Sequence, residues 1–314
     1  MSATIKNFRA QVWLVEQPRL SLRPHPLFDP TEFDGLGDLH SIVLQEGYNG
    51  GMRLALCCLK KFFELCQQHQ IALPRRAYEF PYDPNIPRQV GLSGSSAIVT
   101  ALFRALMSFY GLTDNEIAKP LQPAFVLSVE AELGITAGLQ DRVVQCYEGL
   151  VDMDFAKEVM TRQGHGTYTK LPLSLLPAGR FFIAYRNDPS ESGKIHSTVR
   201  QRYNDGDKAV HEAMARLASL ATQGRVCCEA GDWAGFANLM RQNFAVRREI
   251  FGDAVIGASN LEMVSIAERH GAAAKFPGSG GAILVLVQPG ADVAALRCDY
   301  EDHGCVFTAL EFVG

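Results

Sequence analysis

Apolar and polar side chains alternate at residues 10–15 (Ala-Gln-Val-Trp-Leu-Val) and 149–154, the period-two pattern of half-buried strands, and 77–82 also reads as a strand. Unbroken apolar runs at 181–185 and 282–287 predict buried strands, and 305–310 predicts a closing one. Residues 52–66 are apolar nearly all round and predict a buried helix. Helices are also predicted over 97–110, stopping at Gly111, over 125–133, over 261–270, stopping at Gly271, and over 292–302. Apolar spacing at 209–221 predicts a helix that Gly224 ends as its C-cap. Thr113 and Glu116 have capping-box spacing for a helix to follow. The Pro-, Asp- and Gly-rich stretch 23–38 reads as loop, and 164–179, rich in Gly and Pro, predicts a boundary between two domains, 1–165 and 166–314. Strands interleave with helices in both halves, so the class is α/β or α+β.

Composition narrows the function. The 314 residues are 47% hydrophobic and 20% charged, too apolar for a disordered chain. Thirty basic against thirty-four acidic residues leave a net charge of −4, which argues against nucleic acid as the partner. No apolar run reaches the roughly 18 residues that a membrane-spanning helix needs, and residues 1–6 carry no apolar secretion core. The eight cysteines form no C-x-x-C pair, and Cys57, Cys58, Cys227 and Cys228 sit in apolar stretches, as small hydrophobes of a core would. A reducing cytoplasm is the expected compartment.

Three segments carry candidate chemistry. The first is Pro87-Arg88-Gln89-Val90-Gly91-Leu92-Ser93-Gly94-Ser95-Ser96-Ala97, directly before a strong helix. Glycines there let a backbone approach an anion, and free N–H groups at a helix start attract phosphate; a Ser-rich N-cap without a ligand has the same pattern. It is neither G-x-x-x-x-G-K-[ST] nor G-x-G-x-x-G. The second runs from Glu130 through Gly134 and Gly138 to Asp141 and Arg142. Asp141 suits a general base or metal ligand, and equally an N-cap or ion-pair partner of Arg142. The third, Lys275-Phe276-Pro277-Gly278-Ser279-Gly280-Gly281, lies between a helix and a buried strand. Its small residues permit close contact with a ligand or with another backbone.

In this order and these contexts the three segments resemble the motifs of the GHMP kinases. In finer detail residues 85–97, 137–143, 192–202 and 275–281 are similar to the glucuronokinase branch of that family, and the resemblance covers nearly the whole chain. It implies an α+β, two-domain fold, with a ribosomal protein S5 domain 2-like N-terminal domain and a ferredoxin-like α/β C-terminal domain. It also implies an ATP- and Mg²⁺-dependent sugar-1-kinase acting on D-glucuronate, with another uronic acid or galactose as the alternative acceptor.

By position, Pro87, Gly91, Leu92, Ser93, Gly94, Ser95 and Ser96 would cradle the nucleotide, and Gly278, Ser279, Gly280 and Gly281 would line the same cleft. Ser96, with Ser95 as second choice, would hold Mg²⁺ together with Glu130. Asp141 would accept the proton of the sugar hydroxyl. The uronate carboxylate needs a cation, and Lys194 and Arg200 are preferred to Arg88 and Arg142. The family's first motif has no counterpart: residues 2–7 resemble the segment just after it, so a first strand is expected to be missing. A non-catalytic protein of the same fold, binding nucleotide or a partner, is therefore the rival expectation.

Overall fold

A computed structural model describes residues 1–23, 25, 51–74, 76–87, 90–135, 137–186 and 196–313. The first half contributes strands β1 (Ser2–Ala3), β2 (Ala10–Val12), β3 (Val15–Gln17) and β4 (Ser21–Leu22), helix α1 (Gly51–Gln68), and strands β5 (Ala77–Phe80) and β6 (Tyr82–Pro84). Helices α2 (Gly94–Phe109), α3 (Gln122–Glu132) and α4 (Gln140–Tyr147) follow, then β7 (Leu150–Asp154), α5 (Lys157–Gln163) and β8 (Thr167–Leu171). The second half runs β9 (Phe181–Tyr185), α6 (His196–Asn204), α7 (Lys208–Ala230), α8 (Trp233–Phe251), α9 (Asp253–Ile256) and α10 (Ala258–Arg269). It closes with β10 (Ala273–Lys275), β11 (Ala282–Leu286), α11 (Val293–Asp302) and β12 (Val306–Ala309).

Helix α2 is the axis of the first half. Ile98, Val99, Leu102, Phe103 and Leu106 recur at helical spacing and are buried against α1, α3 and α4. The Phe103 ring lies 4.5 Å from that of Phe125 on α3 and 6.1 Å from that of Phe62 on α1; each such buried side chain is worth about 1.5–3 kcal/mol. Helix α1 corrects its sequence reading. It buries Leu54, Cys58, Phe62 and Cys66 on one face but leaves Leu56 and Phe63 more than half exposed, so it is not buried all round.

The second half is a four-stranded antiparallel sheet in the order β10-β11-β9-β12. β9 is central and all five of its residues are buried, which accounts for its unbroken apolar run. Phe182 and Ala184 face the cluster that includes Met263, Leu296 and Tyr300, while Ile183 and Tyr185 face Val90 of the first half.

Three local expectations fail for identifiable reasons. Gly224 does not end a helix: α7 continues to Ala230, and Gly231, at φ 68°, is its C-cap. Gly224 is instead a buried residue in the middle of the helix, facing the Phe236 ring of α8, where a Cβ would make an ordinary contact at 3.6 Å. Thr113 donates from its backbone N–H and its hydroxyl to Glu116 Oε2, at 2.7 and 2.8 Å, yet no helix starts there. A helix begun at Thr113 would run into Pro120, which has no backbone N–H for the Glu116 carbonyl, and the chain passes instead through a 3-10 turn, Lys119–Leu121, into α3. The strand expected at 10–15 is broken into β2 and β3. The loop expected at 23–38 lies, Arg23 and His25 apart, outside the described residues.

β7 joins β1 to β8 in one antiparallel sheet, so the 165/166 division falls between two paired strands. β1 stands at the edge of that sheet. Residues 4–7 then strap the two halves together. Ile5 bridges Phe312, Lys6 N–H donates to the Glu311 carbonyl at 2.8 Å, and Val313 N–H donates to the Thr4 carbonyl at 3.1 Å.

Candidate active site

The chain enters α2 through two left-handed residues, Gly91 at φ 69° and Ser93 at φ 57°, ψ 41°. A non-glycine residue there costs on the order of 1–2 kcal/mol. Ser93 occupies the N-cap position, but its hydroxyl caps nothing; it donates to Asp141 Oδ2 instead. The first N–H groups of α2 are thereby left without a side-chain acceptor. Together with the helix dipole they form a nest for an anion.

Asp141 sits in the first turn of α4, where Arg142 Nη1 also approaches its Oδ2 at 3.3 Å. The structure shows the contacts that Asp141 makes. Asp141 contacts Arg142, and it also faces the nest, with 31% of its side chain exposed.

Glu130, at the end of α3, is fully buried. Its Oε2 accepts from Arg142 Nε at 2.7 Å and pairs with Nη2 at 2.5 Å, while its Oε1 accepts from the Ser95 hydroxyl at 2.6 Å. Ser95, not Ser96, is the serine that meets Glu130. The Ser96 hydroxyl is buried and donates to the Ser93 carbonyl at 3.0 Å. Two hard oxygens at hydrogen-bond separation, one neutral and one carboxylate, match the donors that Mg²⁺ prefers alongside phosphate and water. Among the described residues there is no cluster of three or more His, Cys, Asp or Glu side chains fit for a metal.

Two residues missed in the sequence complete this centre. Gln145 Nε2 donates to the Ser93 carbonyl at 3.2 Å, and its Oε1 accepts from Thr100 Oγ1 at 3.4 Å. Helical spacing was the available signal: Gln145 follows Asp141 by four residues and Thr100 follows Ser96 by four, so each pair shares a helix face.

The glycine-rich third segment makes its close contact with backbone. A Cβ on Gly278 would stand 2.6 Å from the Gly91 carbonyl, and a Cβ on Gly91 would stand 2.4 Å from the Gly280 carbonyl. The two loops therefore touch main chain to main chain. Arg247 of α8 donates to the Gly278 carbonyl at 3.0 Å, with its guanidinium over the rings of Phe276 and Phe251. Burial lowers the Arg247 pKa to about 10. Burial, helped by the nearby Arg247 charge, also brings the Lys275 ammonium down to about 8; its Nζ donates to the Phe276 carbonyl at 2.7 Å.

A cavity of about 560 Å³ opens between the halves, and Ser93, Asp141, Thr100 and Gln145 line it on one side. Lys275 and Pro277 represent the third segment in its wall, where 278–281 do not appear. Arg200 is exposed on α6 and is not part of this wall, and Lys194 and Arg88 lie outside the described residues. Four other cations do line it: Lys6 pairs with Glu311, Arg104 pairs with Glu148, and Arg9 and Lys275 have no acidic partner among the described residues.

Comparison with known proteins gives the family and the fold. Residues 53–149 match the GHMP kinases N terminal domain and residues 225–304 match the GHMP kinases C terminal domain. The chain is 47% identical over 290 residues to Glucuronokinase 1 of Arabidopsis thaliana, covering 92% of this chain and 79% of the relative. It is 45% identical over 315 residues to Probable glucuronokinase 2 of the same plant, covering 100% and 85%. A galactokinase of Lactococcus lactis, solved with galactose, shares the fold at a TM-score of 0.70 and 15% identity, over 99% of this chain and 87% of that one.

Proposed function

The chain belongs to the GHMP kinase family, and from that premise we propose that it transfers the γ-phosphoryl group of ATP to the anomeric hydroxyl of D-glucuronate, giving the 1-phosphate. The observation that carries this reading is the link from Ser93 to Asp141, which puts a carboxylate at the head of the helix whose N–H groups are free for phosphate. Phosphoryl transfer needs positioning and charge stabilisation more than covalent chemistry, and these residues supply both.

In this reading the N–H groups at the start of α2 hold the nucleotide phosphates. Asp141 accepts a hydrogen bond from the sugar hydroxyl and then its proton as the new bond to phosphorus forms. Ser95 Oγ and Glu130 Oε1 would hold Mg²⁺, which supplies charge neutralisation on the phosphates when bound. Arg142 fixes the Glu130 carboxylate in orientation. The uronate carboxylate is assigned to the cavity wall that carries Arg9 and Lys275, whose charges no carboxylate among the described residues engages. Eight free cysteines, six of them buried, support a reducing cytoplasm as the compartment.

The test is ADP release with glucuronate, galacturonate and galactose as acceptors. Release that depends on glucuronate is expected. Silence with all three would overturn the kinase reading of this chain, and equal turnover of galactose would remove the carboxylate assignment.

A further inference from the structure

Ser93 holds a backbone conformation that its side chain disfavours, and three donors converge on its carbonyl: Ala97 N–H at 3.1 Å, Ser96 Oγ at 3.0 Å and Gln145 Nε2 at 3.2 Å. Two of these belong to α2 itself. Gln145 belongs to α4, the helix that bears Asp141, and its far end is tied back to α2 through Thr100. The Ser93 hydroxyl, released from capping by the same left-handed turn, reaches Asp141. A closed circuit results. From α4, Gln145 grips the Ser93 backbone and Asp141 grips its side chain, so one residue at the mouth of the phosphate nest is held twice from the helix of the base.

We infer that Gln145 is a positioning residue: its donated hydrogen bond holds Ser93 in the left-handed turn and thereby fixes the Ser93 hydroxyl on Asp141, keeping base and phosphate nest in register. Gln145 touches neither reacting atom in this scheme. Strained backbone of this kind persists only where its surroundings over-determine it, and Gln145 is the contact from outside α2 that reaches the Ser93 backbone itself. The catalytic part of the inference rests on the kinase reading above; the backbone part does not.

Gln145→Met keeps the side chain's length and volume and removes the donor. Glycine adopts the left-handed turn without help, so Ser93→Gly makes the grip unnecessary while removing the hydroxyl. In thermal unfolding, Gln145→Met is expected to lower Tm by roughly 2 °C when residue 93 is Ser and by clearly less when it is Gly, where the hydrogen bond is still lost but no strained turn needs holding. In turnover, Gln145→Met is expected to lower kcat by about tenfold or more, with KM for ATP changed by less than about twofold, because the N–H groups of α2 stay in place. Ser93→Gly is expected to lower kcat similarly, and the double variant to be no worse than Ser93→Gly alone. An equal Tm cost of Gln145→Met in both backgrounds overturns the backbone part. Unchanged kcat in Gln145→Met, or additive losses in the double variant, overturns the catalytic part. If the unaltered protein turns over no sugar, the kinase reading has failed, and the Tm cycle still decides the grip on Ser93.

Discussion

The guanidinium of Arg142 takes one oxygen of Glu130 through two nitrogens, at 2.7 and 2.5 Å, and leaves the other oxygen to the Ser95 hydroxyl. Both side chains are almost wholly buried, at 5% and 0% exposure, so neither charge can turn to water if its partner is lost. Removing one member of such a pair costs about 3–5 kcal/mol. Glu130→Gln is therefore expected to lose stability of that order in urea unfolding. Glu130→Gln combined with Arg142→Met is expected to recover part of the loss, since no unpaired charge then stays buried. A Glu130→Gln variant as stable as the unaltered protein would mean that the pair is not buried in solution.

Asp141 meets the nest through Ser93 and lines the cavity. Asp141→Asn keeps the shape and removes the proton acceptor, so kcat for glucuronate is expected to fall by about 10²–10⁴-fold. Circular dichroism and Tm should stay close to those of the unaltered protein. Retained turnover would remove Asp141 from the role of base.

The contact between the glycine loops gives a test that polar chemistry does not confound. Gly278→Ala puts a methyl group 2.6 Å from the Gly91 carbonyl, and the obstacle is backbone that cannot rotate aside. Gly91→Ala adds a left-handed φ to a 2.4 Å collision with the Gly280 carbonyl. Both are expected to raise KM for ATP by about tenfold or more. Gly91→Ala is also expected to cost about 1–2 kcal/mol of stability from its backbone alone. Isothermal titration with a non-hydrolysable nucleotide reads the first effect, and urea unfolding reads the second. Unaltered nucleotide affinity in Gly278→Ala would show that the two loops need not touch for the nest to form.

Lys275 supplies a pH dependence. Its ammonium titrates at about 8 in the folded protein, against 10.5 for an unhindered lysine, so between those values the unfolded chain binds more protons than the native one. Stability gains from this group as pH rises across that window; its penalty is present in full below pH 8 and gone above 10.5. Lys275→Met, which also gives up the hydrogen bond to the Phe276 carbonyl, is expected to stabilise the protein by about 2 kcal/mol at pH 7. The advantage should vanish by pH 10.5 in urea unfolding series. A constant difference across the range would contradict the burial of the charge.

The three candidate segments were legible because their residue types are dictated locally. A serine- and glycine-rich turn before an apolar helix announces a helix start, and its partner segments stand at recognisable places. What the sequence left undecided depends on which way a short side chain turns. Ser95 and Ser96 are adjacent and chemically identical, and only the packing of α2 against α3 gives Glu130 to the first and sends the second back to a carbonyl. Gly278 and its neighbours suited a ligand or a backbone equally well, and the answer came from the opposite half of the chain. Gly224 misled because a glycine under an aromatic ring and a glycine at a helix end look alike without the neighbouring helix. Helical spacing put Gln145 on the face of Asp141, but its partner lies 52 positions away and only the fold brings the two together.

The strap at residues 4–7 joins the first segment of the chain to the last. It ties β1, whose next residue Thr4 also bonds Val144 of the helix bearing Asp141, to the segment that follows β12. The halves meet a second time where the backbone of Gly91 lies against that of Gly278 and Gly280, so main chain of both halves meets beside the cavity at two separate places.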